Sequence, residues 1–503
     1  MLITSQARGR LSEIPIERAP RLEWICAGAA LLVALALTLG YTYTRRPWWD
    51  EGLFADVALN FRNSAHLRSS VLAPHSYVDL PAPDRYTYWQ FPGYLVALGA
   101  WFRLLPVTVY SMRLFSVLWG CAFVAGWFLF VRAFSRKEAL ALLTAVLVAF
   151  DYSVLAAASD GRMDMMCAAL GQAALASYAC LRESRPARAA LLTGFFGAAS
   201  LFSHPMGAVT NACLLVLVLC DVRRLRARFF ALAAIPYLLF GAAFLLYILQ
   251  APQLFVAQMK AVGSYRVGGV LFTLASMARD FRDRYLRFYF APHGGLHRLK
   301  LFALLFGALG FAALSLNRRL RANPLATRLL LLLPVCYLGV AALDTMKFPY
   351  YLVYVMPVLT ACGAVWLYDT FQRHSPARFL ASVFAAGFLL ANIAPCLYYI
   401  RRNDLANEYK PAIAALARIR TPGDIVMGPS ELAFDLGFGA PLIDDSTLGY
   451  TSGIRPKIYI MSASYGPLPG SYQQWTWSRR VLAESYRPVF TNPAYTIYLR
   501  KPE

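Results

Sequence analysis

A chain of 503 residues that is 58% hydrophobic and only 15% charged is too apolar for an ordinary soluble protein, in which about a quarter of residues are charged. The net charge of +22 does not point to nucleic acid, because most arginines fall in short loops between apolar runs, where the positive-inside rule puts them. The nine cysteines lie in or beside apolar runs and form no CxxC pair, so neither a zinc site nor a disulfide framework is indicated.

Residues 1–21 are polar, with Arg8, Arg10, Arg18 and Arg21, and read as a cytoplasmic lead. A first span of about Leu22–Tyr43 follows. It is long, lacks a small-residue cleavage site and precedes many more spans, unlike a cleavable signal. It delivers Arg45-Arg46-Pro47-Trp48-Trp49-Asp50-Glu51 to the opposite face. From there Leu53, Phe54, Val57, Ala58 and Phe61 recur at helical spacing, with Asp56, Asn60 and Arg62 on another face. That pattern predicts a helix lying in the membrane interface. Residues 63–87 read as loop, and residues 88–110, broken by Pro92 and Pro106, as an interfacial or short re-entrant piece.

Further spans are predicted at about 113–132, 139–158, 165–181, 189–203, 206–220 and 229–249. Their connections alternate. Arg132/Arg136/Lys137, Arg182/Arg185/Arg188 and Arg223/Arg224/Arg226/Arg228 fall on one side; Asp160-Gly161-Arg162-Met163-Asp164 and Ser203-His204-Pro205 fall on the other. The Arg-rich side is cytoplasmic by the positive-inside rule. Residues 250–297 form a second external loop, with a basic, aromatic, helix-like piece of Arg279, Arg282, Arg284, Tyr285, Arg287, Phe288 and Tyr289. These bases suit anionic head groups or a lipid phosphate, and equally a solvated face. The last spans, at about 298–316, 329–343, 349–368 and 379–399, bring the count to about eleven. Residues 400–503 turn polar, with a helix-like Pro411–Arg420 and β-like runs at Asp424–Met427, Lys457–Met461 and Tyr495–Leu499.

The expected architecture is thus mainly α. A cytoplasmic segment (1–21) precedes a membrane domain of about eleven helices (22–399), with external loops at about 44–112 and 250–297. A small external α/β domain (400–503) follows. No internal repeat supports an inverted-repeat transporter, and no Gly-rich phosphate loop occurs.

The polar groups that could do chemistry sit at external span ends. Asp50 and Glu51 are adjacent carboxylates pinned to the interface by Trp48 and Trp49. Neighbouring carboxylates push one pKa upward, which suits a general base. Arg162 and Asp164 open a span, where free N–H groups favour anions and a guanidinium can grip a phosphate bidentately; an ion-paired helix cap is the plain alternative. His204 reads as a hydrogen-bonded interfacial residue or a catalyst, and Lys347 as a snorkelling residue or a phosphate neutraliser.

Four segments together resemble the lipid-dependent GT-C glycosyltransferases, in the branch of the protein O-mannosyltransferases and lipid A aminoarabinose transferases. They are Asp50-Glu51 after the first span; Tyr88-Trp89-Gln90-Phe91-Pro92-Gly93-Tyr94-Leu95; Gly161-Arg162-Met163-Asp164; and Lys347-Phe348-Pro349-Tyr350-Tyr351-Leu352 with Pro357. The likeness covers about residues 20–400. His204 stands where many relatives have Lys. The resemblance implies a sugar donor on a polyprenyl phosphate, and a lipid, glycan or protein acceptor at the external face of a membrane. The Arg- and Ala/Leu-rich composition points to a bacterial inner membrane. Asp50, Glu51 and Asp164 would be the catalytic residues, Arg162, Lys347 and His204 would meet the donor phosphate, and Tyr88, Tyr350 and Tyr351 would line the substrate. This chemistry requires no metal or other cofactor, although clustered carboxylates leave a divalent ion open. The rival readings are a lipid-linked-sugar transporter or flippase and a non-catalytic subunit of envelope-glycan assembly. A transporter calls for charges within the spans rather than at their ends.

Overall fold

The computed structural model describes residues 15–76, 79–266, 270–288, 295–373, 377–439, 441–463, 465 and 472–502. Arg8, Arg10 and Tyr289 lie outside the described residues.

All eleven expected spans are helical. They are α1 (Arg21–Thr44), α4 (Val109–Ser135), α5 with α6 (Glu138–Phe150, Tyr152–Ala158), α7 (Met163–Leu181), α8 (Pro186–Ser203), α9 (Gly207–Asp221), α10 (Ala227–Ile248), α13 (Leu301–Leu316), α15 (Pro324–Leu343), α16 (Met356–Gln372) and α17 (Arg378–Arg402). Among the described residues, six helices are long and apolar enough to cross a membrane, or seven if the pair α5–α6, bent by 63° after Phe150, counts as one. The others are shorter or less apolar. In α7 the cause is visible: most of its residues are buried against protein, and a helix facing other helices can use Ala, Gly and Ser where one facing lipid cannot. Close crossings depend on such residues. A Cβ at Gly310 of α13 would lie 2.4 Å from the carbonyl carbon of Cys362 in α16.

The alternating loops gather at two ends. At one, Glu17 N–H donates to the Arg136 carbonyl at 2.9 Å, Arg132 pairs with Glu138 at 3.2 Å, and Arg182 and Arg328 both approach Asp221 at 3.4 Å. At the other, Arg45 pairs with Asp160 at 3.0 Å.

The first loop at this second end holds α2 (Trp49–Ser64) and α3 (Pro92–Leu104). Pro47 disfavours helix at Arg46 and so ends α1. Two acidic residues open α2, where the helix dipole favours them, and Glu51 reaches back to the Trp48 N–H at 2.8 Å. The expected interfacial helix is covered instead: every residue from Glu51 to Ala58 is buried. Asp56 is buried too. It accepts from the Ser69 hydroxyl at 2.6 Å and the Ser70 N–H at 2.8 Å, organising the turn that follows.

The second loop holds α11 (Pro252–Arg266), α12 (Val270–Asp280) and a π-helical Phe281–Phe288; α14 is a single turn at Arg318–Arg321. Arg279, Arg282 and Arg287 are exposed, as expected of a solvated face, but Arg284 is not.

After α17 the chain forms α18 (Lys410–Ile419), β1 (Val426–Met427), α19 (Ala433–Leu436), β2 (Leu442–Ile443), β3 (Ile458–Ser462), α20 (Tyr472–Ser485), β4 (Tyr486–Thr491) and β5 (Tyr495–Arg500). The sheet order is β2-β1-β3-β5-β4. β1 runs parallel to β2 and β3; β5 runs antiparallel to β3 and β4. Strands β2 and β4 were not expected. Two residues of β2 are too few to show a period, and β4 follows α20 directly, without a turn signal.

Candidate active site

The first turn of α2 and the turn before α7 meet at the second end of the bundle. The Asp50 carboxylate pairs with the Arg162 guanidinium, and Arg162 Nε donates to Asp164 at 2.9 Å. Asp50 is the most exposed of the three, with 19% of its side chain accessible against 6% for Arg162 and 2% for Asp164. Among the described residues the second oxygen of Asp164 is buried with no hydrogen-bond partner. Aromatic rings box the guanidinium: Tyr350 lies 4.0 Å from it, Trp48 5.3 Å and Phe54 6.0 Å. Such rings orient a cation and shield it from water.

Glu51 stands apart from this group. It is fully buried and held bidentately by Arg113, at 2.7 Å on both oxygens. The N–H groups of Gly161 and Trp48 each donate to it at 2.8 Å. Burial alone raises its pKa, but Arg113 and these backbone donors hold it below the ordinary value. Four donors engage both oxygens, so Glu51, expected as a catalytic carboxylate, anchors the first turn of α2 to α4 and to the turn before α7 and has no solvent access. Gly161 must be small here, since a Cβ would come 2.8 Å from the Met112 side chain and 3.1 Å from Glu51.

Arg113 was missed from the sequence. It is fully buried and also donates to the carbonyls of Thr42 (2.8 Å), Arg45 (2.8 Å) and Arg46 (2.9 Å), so it satisfies the last turn of α1. Arg113 is the fifth residue of α4, close to the helix N-terminus, where the dipole disfavours a cation. That misfit was the available signal.

A 3₁₀ segment, Pro349–Tyr354, gathers three further residues. Tyr350 faces Arg162, the Tyr351 ring packs 5.6 Å from His204, and the Tyr354 hydroxyl points to the Asp164 carbonyl at 3.4 Å. His204 Nδ1 accepts from the Met206 N–H at 3.1 Å, which caps the turn into α9. Lys347 does not join Asp50. Its ammonium bonds Asp280 at 3.0 Å and the Ala341 carbonyl at 2.9 Å. Arg284 completes that buried cluster, 3.1 Å from Asp280 and 2.8 Å from Asp344. The role of Arg284 is therefore internal, which corrects the expectation of a lipid-facing or solvated base. The stacked rings of Phe348 and Tyr350, 5.0 Å apart, connect this cluster to Arg162. Tyr88 also lies elsewhere: it stacks on Tyr86 and bonds the Tyr247 carbonyl at 3.2 Å, fastening the first loop to α10. Among the described residues no group of three His, Cys, Asp or Glu side chains could hold a metal ion.

No protein-family model matches the chain, and no curated protein sequence does. Solved structures do. ArnT from Cupriavidus metallidurans in the apo state aligns with a TM-score of 0.64 at 16% identity, covering 96% of this chain and 100% of that one. ArnT bound to undecaprenyl phosphate aligns with a TM-score of 0.61 at 16% identity, over 95% and 99% of the two chains. The archaeal oligosaccharyltransferase AglB from Archaeoglobus fulgidus, in complex with an inhibitory peptide and a dolichol-phosphate, gives 0.53 at 12%, over 94% and 74%. The fold is that of the GT-C glycosyltransferases. On this GT-C fold, Asp50 stands on the first loop helix and Arg162 at the start of α7.

Proposed function

We propose that this chain transfers a glycosyl group from a polyprenyl-phosphate donor to a hydroxyl acceptor at the external face of a membrane. The observation behind this reading is the pairing of a partly exposed carboxylate, Asp50, with a ring-boxed guanidinium, Arg162, on a GT-C fold. Two structures of that fold contain polyprenyl phosphates, undecaprenyl phosphate in ArnT and a dolichol-phosphate in AglB.

The residues divide the work. A donor phosphate at Arg162 draws that cation away from Asp50, and a carboxylate that loses its cation binds a proton more readily. Asp50 then accepts the acceptor's hydroxyl proton as its oxygen bonds the anomeric carbon. The bond from that carbon to the phosphate oxygen breaks, and its electron pair leaves on the phosphate. Arg162 stabilises that charge, so no acid is needed. Attack opposite the phosphate inverts the anomeric carbon. Asp164 holds Arg162 in place, and Tyr350 confines it. Lys347, engaged by Asp280, supports the 3₁₀ segment from behind. A C-terminal domain on the outer face and Arg-rich loops inside fit a bacterial inner membrane.

The test is transfer from a panel of polyprenyl-phosphate sugars by the purified chain. Asp50→Asn should abolish transfer and leave thermal stabilisation by undecaprenyl phosphate intact. Transfer that survives this change removes Asp50 from the role of base.

A further inference from the structure

We propose that the C-terminal domain is part of the catalytic unit, with Asp444 and the Ser430–Glu431 backbone as positioning groups that set α2 and so aim Asp50. The proposal rests on the glycosyl-transfer reading above.

Residues 45–52 divide their partners between two bodies. Arg45 pairs with Asp160, and Glu51 with Arg113 and Gly161; these partners belong to the helical bundle. Arg46, Trp49 and Gly52 face the C-terminal domain. The Arg46 guanidinium sits 5.7 Å from the Tyr495 ring and 3.7 Å from Glu408. The Trp49 indole N–H donates to Asp444. Gly52 lies flush on the domain: a Cβ there would fall 2.2 Å from the carbonyl carbon and oxygen of Ser430 and 2.4 Å from the Glu431 nitrogen. Asp50 lies between these contacts and turns toward Arg162.

Asp444 joins more than two pieces. It is fully buried. Its carboxylate also accepts from the Ser430 N–H at 2.9 Å, the Ser430 hydroxyl and the Tyr465 hydroxyl at 2.5 Å. Its backbone N–H donates to the Val71 carbonyl at 2.7 Å, and its carbonyl accepts from the Ala73 N–H at 2.9 Å. One residue thus ties the end of β2, the Ser430 turn, the first loop and α2. Among the described residues these donors, from Trp49, Ser430 and Tyr465, are all neutral. Burying a carboxylate this way costs stability relative to an apolar contact, and directional bonds of this kind fix register. The lever arm is short, because Asp50 is the next residue along the helix from Trp49. A displacement of about 1 Å at reacting groups can cost roughly a hundredfold in rate.

The experiment uses the full chain in nanodiscs. Trp49→Phe removes the indole N–H and keeps the ring, Asp444→Asn keeps the shape, and Gly52→Ala inserts a methyl against Ser430. Each should lower turnover at saturating substrate by about tenfold to a hundredfold, with acceptor KM and stabilisation by undecaprenyl phosphate within about twofold of the parent. The Trp49→Phe/Asp444→Asn double variant should be no slower than its slower parent. Amide hydrogen exchange in the first turn of α2 should rise in every variant. If Gly52→Ala fails to fold, the other two decide. Turnover that falls only in step with donor binding or thermal stability shows the contacts to be adhesive and overturns the proposal; so does faster exchange with undiminished turnover. If the parent transfers no sugar from any donor, the glycosyl-transfer reading fails separately. Unchanged exchange in the variants then overturns the positioning role by itself.

Discussion

Replacing Arg113 with Met should unfold the membrane domain far more readily than an ordinary span-end substitution. The side chain makes two bonds of 2.7 Å to Glu51 and three of 2.8–2.9 Å to carbonyls at the end of α1, with no solvent access. Removing one member of a buried ion pair strands the other charge, at about 3–5 kcal/mol. The freed carbonyls add to that, since an unmatched buried acceptor costs about 1–3 kcal/mol. Glu51→Gln should cost less, because Arg113 keeps its three carbonyls. The double variant Arg113→Met/Glu51→Leu should recover at most the part of the Arg113→Met loss that comes from the stranded charge, since the three carbonyls stay unmatched and the Gly161 and Trp48 N–H groups lose their acceptor. Urea unfolding in detergent, followed by tryptophan fluorescence, measures all three. A Glu51→Gln protein with the parent's unfolding midpoint and no transfer would refute the structural assignment and return Glu51 to catalysis.

Three other outcomes follow from the geometry. Glu431 is buried, and burial lifts its carboxyl from 4.5 to about 8, with Arg46 opposing and Asp444 adding. The folded state keeps that proton where the unfolded chain has released it, so stability is highest below the lower value and falls as pH rises through the window, by up to roughly 5 kcal/mol. Thermal unfolding from about pH 5 to about pH 8 should show this decline, flattened in Glu431→Gln; an equal slope in that variant assigns it to other groups. Arg162→Gln should weaken stabilisation by undecaprenyl phosphate at least tenfold, whereas Lys347→Met should change it less than about threefold and lower the melting temperature, having left Asp280 with Arg284 as its one remaining cation among the described residues. The reverse order would make Lys347 the phosphate group.

Much of this was legible because lipid imposes a strict grammar on sequence. Runs of about twenty apolar residues predicted helices that all formed. Asp50 and Arg162 could be placed at one end because the loops between runs alternate in charge. What stayed hidden depends on side-chain direction, which periodicity does not report. Arg113, beside Met112 and Leu114, read as the edge of a span, while its guanidinium turns back to α1 and Glu51. Asp56 and Arg284 stand on polar helix faces, yet Asp56 is covered by the turn that follows its own helix and Arg284 by Asp344, 60 positions away. Asp444 follows a two-residue strand, too short for alternation to show, and its partner Trp49 is 395 positions away.

Arg113 fastens the Thr42 carbonyl of α1, and the Arg45 and Arg46 carbonyls just after it, to the opening turn of α2. The first span and the helix bearing Asp50 therefore tilt together. Bilayers of different thickness impose different tilts on a span, and this link would pass such a tilt on to the helix that bears Asp50. Sugar transfer reconstituted across a series of acyl-chain lengths should peak at one thickness, which would make the membrane a tuning element of the proposed transfer.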